Sequence, residues 1–145
     1  MSSKTEKATA LFSSGFNCAQ SVLAVFCEKY DLDENTALKI SGGLGAGVRC
    51  GDICGAVSGA VLVIGLKHGH YISEDGISKS NCNSKTLEFI DLFKKKNGSA
   101  ICREILGYDL SVKTEYEQAQ NQNLFKTTCV DMVKSAVELL EDIDC

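Results

Sequence analysis

The 145-residue chain contains no proline, so no position is barred from a helix interior by a missing N–H. It has no basic block beyond Lys94 to Lys96, and its formal charge is −4 with a pI near 5.2. Nucleic acid selects strongly positive surfaces, so that partner class is excluded. The "KKK" run reads as a solvated helix face whose charge suits a helix C-terminus. There is no long hydrophobic run either. The longest, Ala56 to Leu66, is broken by Ser58, Gly59 and Gly65, and falls short of the roughly 20 residues a bilayer requires. The opening "MSSKTEKATALFSSGF" lacks the apolar segment of a signal peptide. The expectation is a cytoplasmic protein with no membrane partner. Only two histidines are present and the acids are dispersed, so no Ser–His–Asp or paired-carboxylate arrangement can be assembled. Cys-x-x-Cys is missing, which counts against a thioredoxin-like exchange. Cys-x-x-Cys-His is missing too, so no covalent haem is expected.

What is present is an ordinary globular composition, 44% hydrophobic and 23% charged, with eight cysteines. The length is that of one domain and suffices for a core without covalent staples. In a reducing compartment cysteines serve as metal ligands, catalytic thiols or small buried side chains more often than as disulfides.

Apolar residues recur at helical spacing, and strand-like alternation is weak throughout. Residues 4–13 form a short amphipathic start, with Ala8, Leu11 and Phe12 on one side. Asn17 is an N-cap for a helix to about Tyr30, and Asp33 for one to about Ser41. A glycine-rich helix is expected from about Ile53 to Lys67, ended by Gly69. Its Gly55/Gly59 and Ala56/Ala60 pairs leave room for another backbone to come close, within the monomer or across a homodimer. Residues 71–83 read as a polar turn. "SKTLEFIDLFKKKNG" reads as a helix with Leu87, Ile90 and Phe93 inward. Ser99 caps a short helix ending at Gly107. A polar helix spans about 112–120, and Thr127 or Thr128 caps the last, to about Glu141, with Val130, Val133, Val137 and Leu140 inward. The fold expected is a compact all-α bundle around a central glycine-rich helix, one domain over residues 1–145.

Four cysteines fall at or near expected helix starts: Cys18, Cys54, Cys102 and Cys129. A helix start offers unpaired N–H donors and about half a positive charge, which favours thiolate. If the four ends converge, they would suit an anionic four-thiolate centre. Gaps of 36, 48 and 27 residues supply no local ligand motif. Cys27 is about half a turn round the helix from Cys18 and is expected to pack elsewhere. Cys50, Cys82 and Cys145 are spare on this reading, with Cys50 kept as an additional thiol for the site. His68 and His70 are expected as helix-end cations rather than ligands. "GGLGAG" has neither a preceding strand nor a following Lys-Ser/Thr, so it is no phosphate loop.

At "FNCAQSVL", "CGAVSGAVLVIGLKHG", "ICREILG" and "CVDMVKSAVELLE" the sequence resembles the redox-active family named for its cysteine pattern, C_GCAxxG_C_C. The resemblance runs from about Lys7 to Glu141. The family's four cysteines match Cys18, Cys54, Cys102 and Cys129. The central block here reads Cys-Gly-Ala-Val-Ser-Gly, aligned on Cys54 and Gly59. The family's relation to the C-terminal part of split-Soret cytochrome c implies an iron–sulfur cluster, taken as 2Fe–2S, on the same cysteines.

Three functions remain open on the residues. One is an electron carrier with a four-cysteine iron–sulfur cluster and a redox partner protein yet to be identified. In it Gly51, Gly55 and Gly59 would let the backbone approach, and Arg49 or Arg103 would offset the negative charge. Another is a thiol–disulfide protein with Cys54 attacking at depressed pKa and Cys18 or Cys50 resolving. The third is a helical module with a structural zinc site or merely buried cysteines.

Overall fold

The structure, a computed structural model, describes residues 2–145. Its helices are α1 (Ser3–Ser13), α2 (Cys18–Ala24), α3 (Glu34–Ile40), α4 (Gly55–His68), α5 (Gly76–Asn97), α6 (Cys102–Leu106), α7 (Lys113–Asn121) and α8 (Thr128–Asp142). Among the described residues there is no strand, only one antiparallel bridge between Ile53 and Ile101. The fold is all-α. No helix among them is long and apolar enough to cross a membrane.

Several helix starts follow from side chains that satisfy otherwise orphaned N–H groups. Asn17 accepts from the Gln20 N–H at 2.8 Å while the Gln20 side chain accepts from the Asn17 N–H at 2.9 Å, a reciprocal capping box. Asp33 caps α3 through the Thr36 N–H, and Asp75 caps α5 through the Ser78 N–H. Gly98 ends α5 with φ 88°, in the left-handed region that costs glycine nothing.

Two expected boundaries move. The expected helix from Asn17 to Tyr30 stops at Ala24 and tightens into a 3₁₀ turn at Cys27–Tyr30. Phe26 and Cys27, at the junction, are both buried in the core. The expected polar turn over 71–83 is short, because α5 begins at Gly76, and Cys82 therefore sits on a helix.

Helix α4 is the centre of the bundle, with α2, α5 and α8 packed around it and α1 lying on α8. Ala56, Val57, Ala60, Val63 and Ile64 of α4 are fully buried. They meet Val22 and Leu23 of α2, Phe89 and Phe93 of α5, and Val133, Val137 and Leu140 of α8. Of the expected inward face of α5, Phe93 is fully buried and Ile90 packs against the core, but Leu87 is corrected: it is 69% exposed, and Phe89, whose ring centroid lies 6.0 Å from that of Phe93, points inward instead. α5 touches the bundle along one narrow stripe, which an i,i+4 aromatic pair fills and Leu87 misses.

A second, smaller apolar cluster joins Cys102, Leu106, Tyr108, Leu110, Tyr116, Ala119, Leu124, Phe125 and Cys129 with Ala46. Except for Ala46, all belong to the stretch from Cys102 to Cys129.

Candidate functional site

Three backbone arrangements bring four thiols to one place. First, α2 and α4 pack at near-backbone contact. A Cβ on Gly59 would lie 2.6 Å from the Ala19 carbonyl oxygen, and one on Gly55 would lie 3.2 Å from the Cys18 Cβ. Only glycine permits this approach, which sets Cys18, the first residue of α2, beside Cys54, the N-cap of α4. Second, the Ile53–Ile101 bridge runs two hydrogen bonds. The Cys54 N–H donates to the Ala100 carbonyl at 2.8 Å, and the Cys102 N–H to the Asp52 carbonyl at 2.6 Å. Cys54 and Cys102 are thereby neighbours across a strand-like pair. Third, α8 lies on α2, which brings Cys129, in the first turn of α8, to the same cavity lining as Cys18.

The four thiols ring a cavity of about 170 Å³, far more than the roughly 10–15 Å³ that one water occupies. Most of the remaining lining is apolar, including Phe12, Leu106, Leu110, Tyr116, Phe125 and Met132. No carboxylate lines it, and its one charged side chain is Arg49. The cavity follows the seam between the two apolar clusters. Cys18 and Cys54 belong to the main one, Cys102 and Cys129 to the smaller.

The two arginines separate here. Arg103 donates to the Asp52 carboxylate at 2.7 Å and to the Gly51 carbonyl at 3.1 Å, away from the cavity lining. Arg49 makes no ion pair among the described residues. It is carried by an unusual turn: Ala46, Gly47, Val48 and Arg49 all have φ between 53° and 63°. Consecutive left-handed residues cost about 1–2 kcal/mol each when they carry a Cβ, and a β-branched valine is the least tolerant. The turn is closed by the Asp52 N–H donating to the Gly47 carbonyl at 3.1 Å. A Cβ on Gly47 would collide with the Asp52 backbone. Gly55 lines the cavity. Gly59 acts through α2, and Gly51 (φ 72°) lies against Asp109.

The expectation that helix starts lower all four thiol pKa values is overturned for three of them. Burial pushes Cys54 up to about 11, although the Ala56 and Val57 N–H groups pull the other way. Burial, with the Cys54 and Cys129 thiols adding to it, pushes Cys102 up to about 12, against a small opposing pull from Arg49. Cys18 is raised well above the ordinary value, chiefly by donating to Cys129 and then by burial. Cys129 alone is lowered, because Cys18 stabilises its thiolate. A helix start contributes a fraction of a charge, whereas stripping water from a thiolate costs more. The expectation of Cys54 as a low-pKa attacking thiol therefore fails; that property belongs to Cys129.

The remaining cysteines lie elsewhere. Cys50 is exposed and outside the cavity lining, and Cys27 is fully buried in the main core. Cys82 is on α5, not in a loop. Cys145, expected as a spare terminal thiol, is 3% exposed in the main core. Its carbonyl accepts from Lys29 Nζ and the Tyr30 hydroxyl, each at 2.7 Å. His68 ends α4, where burial first and then Lys67 and Lys85 hold its pKa below the usual value, against the charged form expected at a helix end. Ser99 does not cap α6 directly. Its hydroxyl accepts from the Ile101 N–H at 3.0 Å and donates to Glu104, and α6 begins at Cys102.

The apolar part of the lining is not legible in the sequence: only Tyr116 lies in the helix read as polar over about 112–120, while Leu106 ends the helix before it and Leu110 and Phe125 lie on either side. Among the described residues, no three His, Cys, Asp or Glu side chains sit where they would hold a single metal ion. Four sulfur donors, no competing carboxylate and one unpaired arginine fit a thiolate-ligated anionic centre of several atoms.

The model of a family described as "Putative redox-active protein (C_GCAxxG_C_C)" matches residues 16–143. No curated protein and no solved structure matches the chain.

Proposed function

We propose, since this chain belongs to the C_GCAxxG_C_C family, that Cys18, Cys54, Cys102 and Cys129 are the working centre of a redox protein and that they ligate an iron–sulfur cluster. The observation that carries this reading is the ring of four thiols, two from each apolar cluster, around one cavity free of carboxylates. When bound, such a cluster supplies one-electron transfer. The chain's own part is to offer four sulfurs, exclude water with the Phe12, Leu110, Tyr116 and Phe125 wall, and hold Arg49 toward the negative charge. Burial of Cys54 and Cys102 keeps both thiols protonated at neutral pH in the metal-free protein. Ligation must therefore displace their protons.

A second reading is favoured by the Cys18–Cys129 pair. The Cys129 thiolate would attack a partner disulfide, forming a mixed disulfide and releasing one partner thiolate. Cys18, giving up its proton, would then attack the Cys129 sulfur and release the second partner thiol. The pair ends as a disulfide and the partner as a dithiol, so two electrons move to the partner.

Protein purified without oxygen, analysed by visible absorption and by iron, sulfide and zinc content, tests both readings. Iron with sulfide, lost in Cys54→Ser and kept in Cys50→Ser, is the expected result. Metal-free protein that passes two electrons through Cys129 and Cys18 would replace the first reading with the second. Zinc alone would refute both.

A further inference from the structure

The stretch between Cys102 and Cys129 is tied to the rest of the molecule at its two ends and hardly at all between them. At one end the Cys102 N–H and the Arg103 guanidinium hold Asp52 and Gly51. At the other, α8 packs into the main core. Between Tyr108 and Gln122 the hydrogen bonds close on the segment itself or on the residues just beyond its ends. The Asp109 N–H donates to Glu115, Ser111 donates to Asp109, and Gln122 donates to the Tyr108 hydroxyl. Among the described residues no ion pair leaves this segment. Its flanks are Gly107, with φ 74°, and Asn123, with φ 63°. Both are residue types that tolerate left-handed backbone, where a chain can turn. Of the α7 residues only Ala119 is buried.

We propose that residues 108–122 are a movable wall of the thiol cavity, open part of the time in the metal-free protein and closed when a thiophilic metal centre bridges the four cysteines. The apolar side chains this wall presents to the cavity, Leu110 and Tyr116, otherwise pack within the smaller cluster, Tyr116 against Phe125 with ring centroids 5.1 Å apart, so whatever fills the cavity adds contacts across the seam to the main core. The two cysteines at the segment's ends, Cys102 and Cys129, lie on the wall's side of the seam, and Cys18 and Cys54 lie on the other. Ligation by all four therefore staples the smaller cluster to the larger. Segments with few buried contacts and self-contained hydrogen bonds are those that open below the global unfolding free energy. The closing half of the proposal rests on reading the four thiols as ligands; the opening half does not.

Hydrogen exchange read by mass spectrometry on the full chain separates the two halves. The probe is Cd²⁺ added to reduced, metal-free protein, with Cys50→Ser as a control that keeps the cavity intact. In metal-free protein, amides of residues 113–122 should exchange at least tenfold faster than those of α4 and α8. Cd²⁺ added until uptake saturates, so that thiolate-bridged ions or closure of the wall can bring all four sulfurs into reach, should slow them at least tenfold in both wild type and Cys50→Ser. Exchange as slow as that of α4 without metal would overturn the movable wall outright. Fast exchange that bound Cd²⁺ does not slow would overturn the coupling. Failure to take up Cd²⁺ at all would overturn the coupling together with the ligand reading, while the fast exchange of the metal-free wall would still uphold its mobility.

Discussion

Raising the pH of the reduced, metal-free protein should unfold it through Cys54. The thiol is 6% exposed, and its pKa rises from 9.0 in the free group to about 11 in the fold, burial being the main cause. A pKa raised on folding means that the native state holds its proton more tightly than the unfolded chain. The stabilisation is complete below pH 9 and is lost as the pH climbs from about 9 to about 11. Two units at 1.36 kcal/mol each amount to about 3 kcal/mol. Urea unfolding of wild type and Cys54→Ser from pH 7 to 11 measures it, and titration of lysines and tyrosines cancels in the difference. At pH 11 half the native thiol is still protonated, so most but not all of this is lost, and with an m-value of about 2 kcal/mol/M the wild-type midpoint should fall about 1 M further than the variant's. At pH 7 the variant should be no less stable. Cys54 occupies the N-cap of α4 without a side-chain cap, and serine is a preferred N-cap, worth about 1 kcal/mol. Parallel pH profiles for the two proteins would refute the claim that desolvation outweighs the helix start at this thiol.

The other thiols and the packing yield further expectations. Metal uptake should strengthen steeply with pH between 6 and 9, roughly tenfold per unit for each proton displaced, because Cys18, Cys54 and Cys102 are held protonated; competition with a chelator at fixed metal reads the slope. In metal-free protein, alkylation mapped by mass spectrometry should mark exposed Cys50 and low-pKa Cys129 before Cys54 and Cys102. Gly59→Ala places a methyl 2.6 Å from the Ala19 carbonyl oxygen. It should cost about 1–3 kcal/mol in urea unfolding and reduce metal content by parting Cys18 from Cys54. Arg49→Gln should lower the reduction potential of the metal-loaded protein, read by voltammetry, while Arg103→Gln, whose native side chain is occupied by Asp52, should leave it unchanged.

The sequence by itself determined that the chain is helical and where helices capped by a local side chain begin or end. Asn17, Asp33 and Gly98 act within a turn of their own position, so their effect needs no knowledge of the rest of the chain. The same holds for the four cysteines at or beside helix starts, and for the glycines of α4 that had to meet another backbone. Tertiary structure decided what depends on neighbours far along the chain. Leu87 and Phe89 are equally apolar in the sequence, and only the position of α4 and α8 chooses between them. Arg49 and Arg103 are equally basic, and only Asp52 occupies one of them. Cys82 and Cys145 were both spare thiols in the sequence, and only the fold packs Cys82 partly, from α5, and Cys145 fully against the main core. The sign of the thiol pKa values is the clearest case. The helix-start field is local and legible, whereas desolvation is produced by all the side chains that close around the thiol, and it is the larger effect.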